Sequence, residues 1–135
     1  MATYTKFNSF VEAVAEKVHN LGSDTLKVAL TNSAPSASNT KLSDITEITY
    51  TNCSSRSITT ASSSQASGTY KLVLTDLVLT ASGTVGPFRY IVIYNDTASN
   101  DELIAYFDYG SSITLNSGDT LTLDFDASNG VLQLA

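Results

Sequence analysis

The 135-residue chain contains no tryptophan, one cysteine, one histidine, one methionine and two prolines. A single cysteine, Cys53, cannot form an internal disulfide, so the sequence does not predict a disulfide-built scaffold and fits folding in a reducing cytosol. The residue types on which most enzymes depend are scarce. No run of about 18 apolar residues predicts a membrane span, and no basic segment followed by an apolar one predicts a signal peptide. The composition therefore indicates neither an enzyme nor a membrane protein.

Positive charge is also scarce. Seven Lys and Arg residues stand against thirteen Asp and Glu residues, which gives a formal net charge of −6. The basic residues are scattered along the chain, whereas nucleic-acid binding depends on clustered Lys and Arg. Nucleic acid is therefore not an expected partner, and the acidity favours association with a basic protein surface.

Serine and threonine are abundant in this chain. Threonine suits half-exposed strands, and serine suits turns and loops. The length predicts one domain, residues 1–135, that buries roughly two-thirds of its unfolded surface without a disulfide, metal or cofactor. Within it we expect an N-terminal arm and helix at residues 1–22 and a β domain at residues 23–135.

An amphipathic helix is predicted near the N-terminus. Ser9 and Glu12 fit a capping box at its start, and Thr5 or Asn8 would serve equally well as the N-cap. Gly22 is a suitable stop, because glycine accepts the left-handed conformation past a helix end. Apolar side chains recur at three- and four-residue spacing and form one stripe: Phe7, Phe10, Val11, Val14, Val18 and Leu21.

Alternating apolar and polar residues between Asn, Asp, Ser and Gly clusters predict a mainly β fold. The first strand covers residues 25–31, with Leu26, Val28 and Leu30 on one face. Further strands are predicted at residues 69–75, 77–81, 88–95, 102–108, 112–116, 120–126 and 131–134, with a weak one at 56–60. Ser117-Gly118 and Asn129-Gly130 are expected to close hairpins. Strands of this number and spacing predict an antiparallel β-sandwich or jelly roll.

The sequence offers few candidates for catalysis or metal binding. His19 falls on the polar side of the predicted helix near its end, and we interpret it as solvated. Cys53 has no sequence-local activator. The segment from Asp124 to Gly130 begins like a calcium loop, but its glycine falls one position late and no closing glutamate follows. Asp124 and Asp126 are thus weak cation candidates, and a solvated face is the interpretation we favour.

A glycan-binding module is an alternative from a different functional class. Several tyrosines, among them Tyr50 and Tyr109, offer faces on which a sugar ring can stack. Tyr90, Tyr94 and Tyr106 instead fit core or intersubunit contacts, because they follow the strand pattern of apolar neighbours. The absence of tryptophan weakens the sugar interpretation.

Several segments resemble a group of small structural proteins encoded in tailed-bacteriophage genomes beside the head-assembly genes. They read KFNSFVE (residues 6–12), VHNLGSDTLKVALTN (18–32), GPFRY (86–90), YND (94–96) and YGSS (109–112). The likeness spans nearly the whole chain and is weakest at residues 33–67. It implies a head decoration (cement) protein, a β-sandwich or jelly-roll subunit, often trimeric, that sits on the capsid and clamps neighbouring capsomers. A tail or other virion component is the closest alternative.

The resemblance also implies a set of partners and contacts. The expected partner is the lattice of the major capsid protein, bound by a homo-oligomer, with no catalytic activity, on the virion surface after folding in the host cytoplasm. We expect the N-terminal arm and the polar segments at residues 33–44 and 51–67 to make the contacts, and deletion of residues 2–5 to leave the fold intact. The candidate contact residues are Ala2, Thr3, Tyr4, Thr5, Lys6, Pro35, Asn39, Lys41, Tyr50 and Arg56.

Overall fold

The computed structural model describes residues 2–135, which form antiparallel β-sheets and one short α-helix. The helix α1 covers Ser9–Ala15, and a 3₁₀ turn covers Leu42–Asp44. The mainly β prediction with antiparallel sheets and one N-terminal helix is confirmed. The strands are β1 (Thr3–Lys6), β2 (Leu26–Thr31), β3 (Ser57–Ile58), β4 (Thr60–Ala66), β5 (Thr69–Leu74), β6 (Leu77–Thr80), β7 (Val85–Asn95), β8 (Leu103–Leu115), β9 (Thr120–Leu123) and β10 (Leu132–Leu134).

The strands form three sheets. The largest has the order β1-β8-β7-β2-β3, the second has the order β10-β5-β4, and the third pairs β6 with β9. All paired neighbours are antiparallel. The prediction that Ser117-Gly118 and Asn129-Gly130 close hairpins is wrong, because the chain changes sheet at both turns. After the first turn β9 pairs with β6, and after the second β10 pairs with β5.

The main core draws buried side chains from all three sheets. Leu30 comes from the five-stranded sheet, Leu72 from the three-stranded sheet and Leu79 from the two-stranded sheet, and all three are fully buried. Phe10 of α1 packs into the same cluster. Burial of one such side chain stabilises the fold by about 1.5–3 kcal/mol, so this shared core ties the three sheets and the helix together.

A second, smaller core lies on the other face of the five-stranded sheet. Ala29 and Val92 belong to it, whereas their strand neighbours Val28 and Ile93 point into the main core. The predicted alternation along residues 25–31 is therefore confirmed, although both faces of β2 are buried. Leu42 and its loop cover the second core, so the long polar loop packs on the sheet.

The helix is shorter than the apolar stripe predicted. The N-cap is Asn8, one of the predicted alternatives, although its side chain makes no capping bond, and the Ser9–Glu12 capping box is wrong because Ser9 is already the first helical residue. The helix ends at Ala15 because Lys17 takes the left-handed conformation, with φ 65°, and Gly22 is not the stop. Val18 is consequently turned out to solvent, 38% exposed.

Two strands also differ from the prediction. β8 runs through Gly110 without a break, because this glycine has φ +98° and the ladder to β7 absorbs register shifts. The predicted pair of strands at 102–108 and 112–116 is therefore one strand. The weak strand predicted at 56–60 corresponds to β3, whereas β4 was not predicted, because its mainly polar side chains give no apolar alternation. It joins β5 through a tight turn at Ser67 and Gly68, both with positive φ.

Candidate functional site

The predicted N-terminal arm is a strand of the largest sheet. Residues Thr3 to Lys6 pair with β8 from Asp108 to Ala105. The ring of Tyr4 meets the ring of Phe107 edge-on at 5.3 Å between centroids, and burial raises the pKa of Tyr4 to about 12. The predicted arm is thus a paired edge strand, and deletion of residues 2–5 would remove most of β1. The exposed side chains of β1 and its outer edge are what remain available to a partner.

The loop at residues 33–44 is held in place by hydrogen bonds. Asn39 accepts the backbone N–H of Ser36 with Oδ1 at 2.7 Å, and Lys41 pairs with Glu102 in an isolated bridge. Pro35 is half-buried, whereas Lys41 is exposed. Of the three predicted contact residues in this loop, Lys41 therefore offers the charged side chain to a partner.

Tyr50 and Arg56 are brought together by the structure, and both are engaged within the chain. The guanidinium carbon of Arg56 lies 3.7 Å from the centroid of the Tyr50 ring. Arg56 Nη1 donates to the carbonyl of Val28 at 2.7 Å. Tyr50 Oη accepts the backbone N–H of Leu30 at 2.9 Å and donates to Glu47 at 2.7 Å. Burial, together with the nearby Glu47, raises the pKa of Tyr50. This cluster fastens the polar segment before β3 onto β2.

The two cation candidates lie beyond the end of β9 and do not share a strand face. Asp126 accepts the backbone N–H groups of Ser128 and Asn129 with Oδ1, and the Asn129 amide with Oδ2. These bonds hold the pKa of Asp126 below its usual range. Asp124 Oδ1 accepts the N–H of Asp126 at 2.9 Å. Both carboxylates thus stabilise the turn, and no group of three metal-ligating side chains occurs among residues 2–135.

A groove of about 790 Å³ lies beside this turn, and the sequence did not predict it. Phe107 and Tyr109 of β8 face residues 121–128, which lie on β9 and in the turn that follows. Tyr109 is 47% exposed. The lining residues are Ala2, Asp76, Ile91, Phe107, Tyr109, Leu121, Thr122, Leu123, Asp124, Phe125, Asp126, Ala127 and Ser128. They come from five separate parts of the chain, so only the pairing of β8 with β1 and of β9 with β6 assembles the groove.

His19 is buried, with 6% of its surface exposed, and the prediction of a solvated histidine is wrong. The chain turns after Lys17 and carries the imidazole inward, against the ring of Phe10 at 5.4 Å between centroids. Nδ1 accepts the side-chain amide of Asn95 at 2.9 Å. Nε2 is buried and has no partner among the described residues.

Asn95 connects His19 to two neighbouring segments. Its Nδ2 also donates to Asp24 at 2.7 Å, and its Oδ1 accepts the backbone N–H groups of Thr97 and Ala98. Burial lowers the pKa of His19, although the carboxylates of Glu102 and Asp24 act in the opposite direction. The arrangement favours the neutral imidazole over the charged one, and it joins the hairpin between β7 and β8 to the turn before β2.

No helix in residues 2–135 has the length and apolar character needed to cross a membrane. No protein-family model matches the chain, and neither does any curated protein or solved structure with which it was compared.

Proposed function

We propose that this chain is a structural protein of a bacteriophage particle, most specifically a decoration (cement) protein that binds the outer surface of the head and stabilises contacts between capsomers. The sequence segments named above support this proposal through their resemblance to such proteins. We propose in addition that the fold of this chain is a jelly-roll-like β-sandwich and that three copies form a trimer. The proposal assigns no catalytic activity to the chain.

The observation that carries most weight is the number of strand edges at the borders of the sheets. β1 and β3 end the largest sheet, β4 and β10 end the second, and β6 and β9 form a two-stranded sheet. Unpaired edges can accept a further strand, and the main-chain hydrogen bonds then give affinity. A protein that binds a repeating shell needs only modest affinity at each contact, because many copies engage at once.

The surface chemistry is compatible with a protein partner. Although the chain carries a net charge of −6, its exposed lysines can dock on acidic side chains of a partner, because charge complementarity acts locally at a contact. Among the predicted contact residues, Lys6 and Lys41 are exposed and lie on separate elements. We assign the capsid contact to the exposed side of β1 and to the loop at residues 33–44.

Co-sedimentation with purified phage heads that lack this protein tests the proposal, after light scattering has established the oligomeric state. We expect saturable binding in a fixed ratio to the shell protein. A paired Lys6→Glu, Lys41→Glu variant should bind less, whereas Lys17→Glu, at an exposed position on a different part of the surface, should not. Absence of binding to heads would overturn the capsid proposal, and binding to tails alone would replace it with a tail component.

A glycan-binding module is the second candidate, favoured by the exposed Tyr109 beside the groove. An aromatic face flanked by hydrogen-bonding groups is a common way to hold a sugar ring. A glycan array probed with the chain and with Tyr109→Ala tests it. Sugar binding that disappears in the variant would support this candidate, and an array without signal would remove it.

A further inference from the structure

The floor of the groove between β8 and β9 is apolar. Phe125 and Ile91 are buried beneath it, and Phe107 and Leu121 are half-buried at its surface. Tyr109 adds an exposed aromatic ring at the side. These side chains lie next to one another, unlike the scattered single apolar residues that are normal on a protein surface. The groove is therefore shaped to receive apolar side chains.

Two strands that line the groove have an unpaired edge. β9 pairs along one side with β6 and has no strand partner on the other. β8 loses its partner β1 beyond Asp108, so from Tyr109 onward its outer edge is also unpaired. Backbone N–H and C=O groups along such edges are available to an extended chain segment. The groove thus offers main-chain pairing as well as apolar contact.

The charged side chains that line the groove are all acidic. They are Asp76, Asp124 and Asp126, and no Lys or Arg contributes to the lining. Asp76 and Asp124 each use one oxygen, Oδ1, to accept a backbone N–H, which leaves Oδ2 of each without a bond within residues 2–135. Lys71 donates to the carbonyl of Ser128, which also lines the groove, and its charge acts on Asp126, so the free oxygens of Asp76 and Asp124 are the ones offered to a partner. The rim therefore attracts positive charge.

We propose that this groove binds an extended segment of a partner protein in which apolar side chains alternate with Lys or Arg. In an extended segment successive side chains point to opposite sides. The apolar side chains contact Phe107 and Leu121, and the basic ones reach the carboxylates of the rim. A second copy of this chain is a poor occupant because its net charge is also negative. The inference does not require that the partner be a capsid protein.

Titration of the ¹⁵N-labelled full chain with synthetic peptides, followed by NMR, tests the proposal. The probe is an eight-residue peptide that alternates lysine and valine. One control alternates glutamate and valine, and the other alternates lysine and serine. We expect saturable shifts at Phe107, Tyr109 and residues 121–128 with the lysine–valine peptide alone. Shifts of equal size with either control would overturn the proposal. Equal shifts with the glutamate–valine peptide would indicate apolar contact alone, and equal shifts with the lysine–serine peptide would indicate charge attraction alone.

Two matched double variants distinguish the effect of the rim carboxylates from the effect of the overall charge. Asp76→Asn with Asp124→Asn removes two charges from the groove and keeps an acceptor for each backbone N–H. Glu12→Gln with Glu16→Gln removes the same charge from two exposed positions, one on α1 and one at its C-cap. The first pair should raise the dissociation constant of the lysine–valine peptide by about three-fold or more, which is within the range of solvent-exposed ion pairs. The second pair should leave it unchanged. Equal weakening by both pairs would overturn the role of the rim.

Sugars are the competing class of ligand for this groove. Maltose and N-acetylglucosamine are added to the same labelled protein at millimolar concentration. Neither should shift the groove resonances. Saturable shifts from a sugar, without shifts from the lysine–valine peptide, would overturn the peptide proposal and assign the groove to a glycan. Because all probes are small and defined, these results are independent of binding to phage heads.

Discussion

At the residue scale, the buried imidazole of His19 makes folding sensitive to pH. Its Nδ1 faces a donor, the side-chain amide of Asn95, whose own oxygen is occupied by two backbone N–H groups. A proton on Nδ1 would place two donors against each other. Burial is also unfavourable to the charged form, and it lowers the pKa of His19 despite the carboxylates of Asp24 and Glu102. The folded state therefore binds this proton less readily than the unfolded state.

The sign of the pH dependence follows from that difference. Below the ordinary histidine pKa near 6.5 the unfolded chain takes up a proton that the native chain excludes. We expect the free energy of unfolding to fall as pH decreases from about 6.5, by at most about 1.4 kcal/mol per unit, and to level off below the lowered native pKa. Urea titrations between pH 5 and 8 measure this change.

The control for this prediction is His19→Asn, whose Oδ1 can accept the same amide and does not titrate. Its stability should be flat over that interval. Asp44, Asp108 and Asp126 have lowered pKa values, so their stabilisation is lost only at lower pH, as they become protonated. An equal slope in the wild type and the variant would contradict the role of His19.

Tyr50 gives a second prediction at this scale. Tyr50→Phe removes the oxygen that accepts the backbone N–H of Leu30 and leaves that donor in a partly buried position without its partner. An unsatisfied donor of this kind costs about 1–3 kcal/mol. Tyr109→Phe is the matched control, because the Tyr109 side chain is exposed. Chemical denaturation should show a loss for the first variant and little change for the second; similar losses would contradict the prediction.

At the element scale, apolar alternation explains which strands the sequence could predict. β2, β5 and β7 carry buried side chains that recur with strand periodicity, and the predicted bounds lie within a few residues of the observed ones. β4 has the composition Thr-Ala-Ser-Ser-Ser-Gln-Ala and only half-buried or exposed side chains. It is a strand because it pairs with β5 across a tight turn, and its own side chains show no apolar alternation from which a strand could be predicted.

The candidate site was less predictable than the strands. The predicted contact residues Tyr50 and Arg56 are close in space, but their polar groups already form hydrogen bonds with the backbone of β2 and with Glu47. The groove was missed because its walls come from distant segments. The left-handed conformation of Lys17 ends the helix and turns His19 inward. A lysine at that position does not predict such a turn.

A close approach of two strands gives the element-scale prediction. A Cβ on Gly86, at φ +118°, would lie 2.7 Å from the carbonyl oxygen of Ile113 across the β7–β8 ladder. Gly118 has φ +90° and open space around it. Ala at either position is strained by the positive φ, at about 1–2 kcal/mol. Gly86→Ala should lose clearly more stability in thermal unfolding, because the clash is added, and equal losses would contradict this explanation.

At the scale of the whole molecule, the shared core predicts one unfolding transition. Phe10, Leu72 and Leu79 come from the helix and from two different sheets, yet they belong to one buried cluster. No sheet can therefore open without exposing the others. Far-ultraviolet circular dichroism and the near-ultraviolet signal of the tyrosines should give coincident midpoints, which is the test of two-state behaviour. Separate midpoints would contradict a single cooperative unit.

The tight turn between β4 and β5 has a practical consequence for protein engineering. Ala2 lines the groove, and Leu134, near the C-terminus, lines a second cavity together with His19, so polypeptide joined at either end of the chain lies beside one of them. Ser67 and Gly68 instead lie at an exposed tip, and a Cβ on Gly68 would meet nothing within 4 Å. Exposed tips of this kind tolerate inserted sequence best. A foreign epitope grafted there would be displayed at the end of a hairpin, with the groove left open.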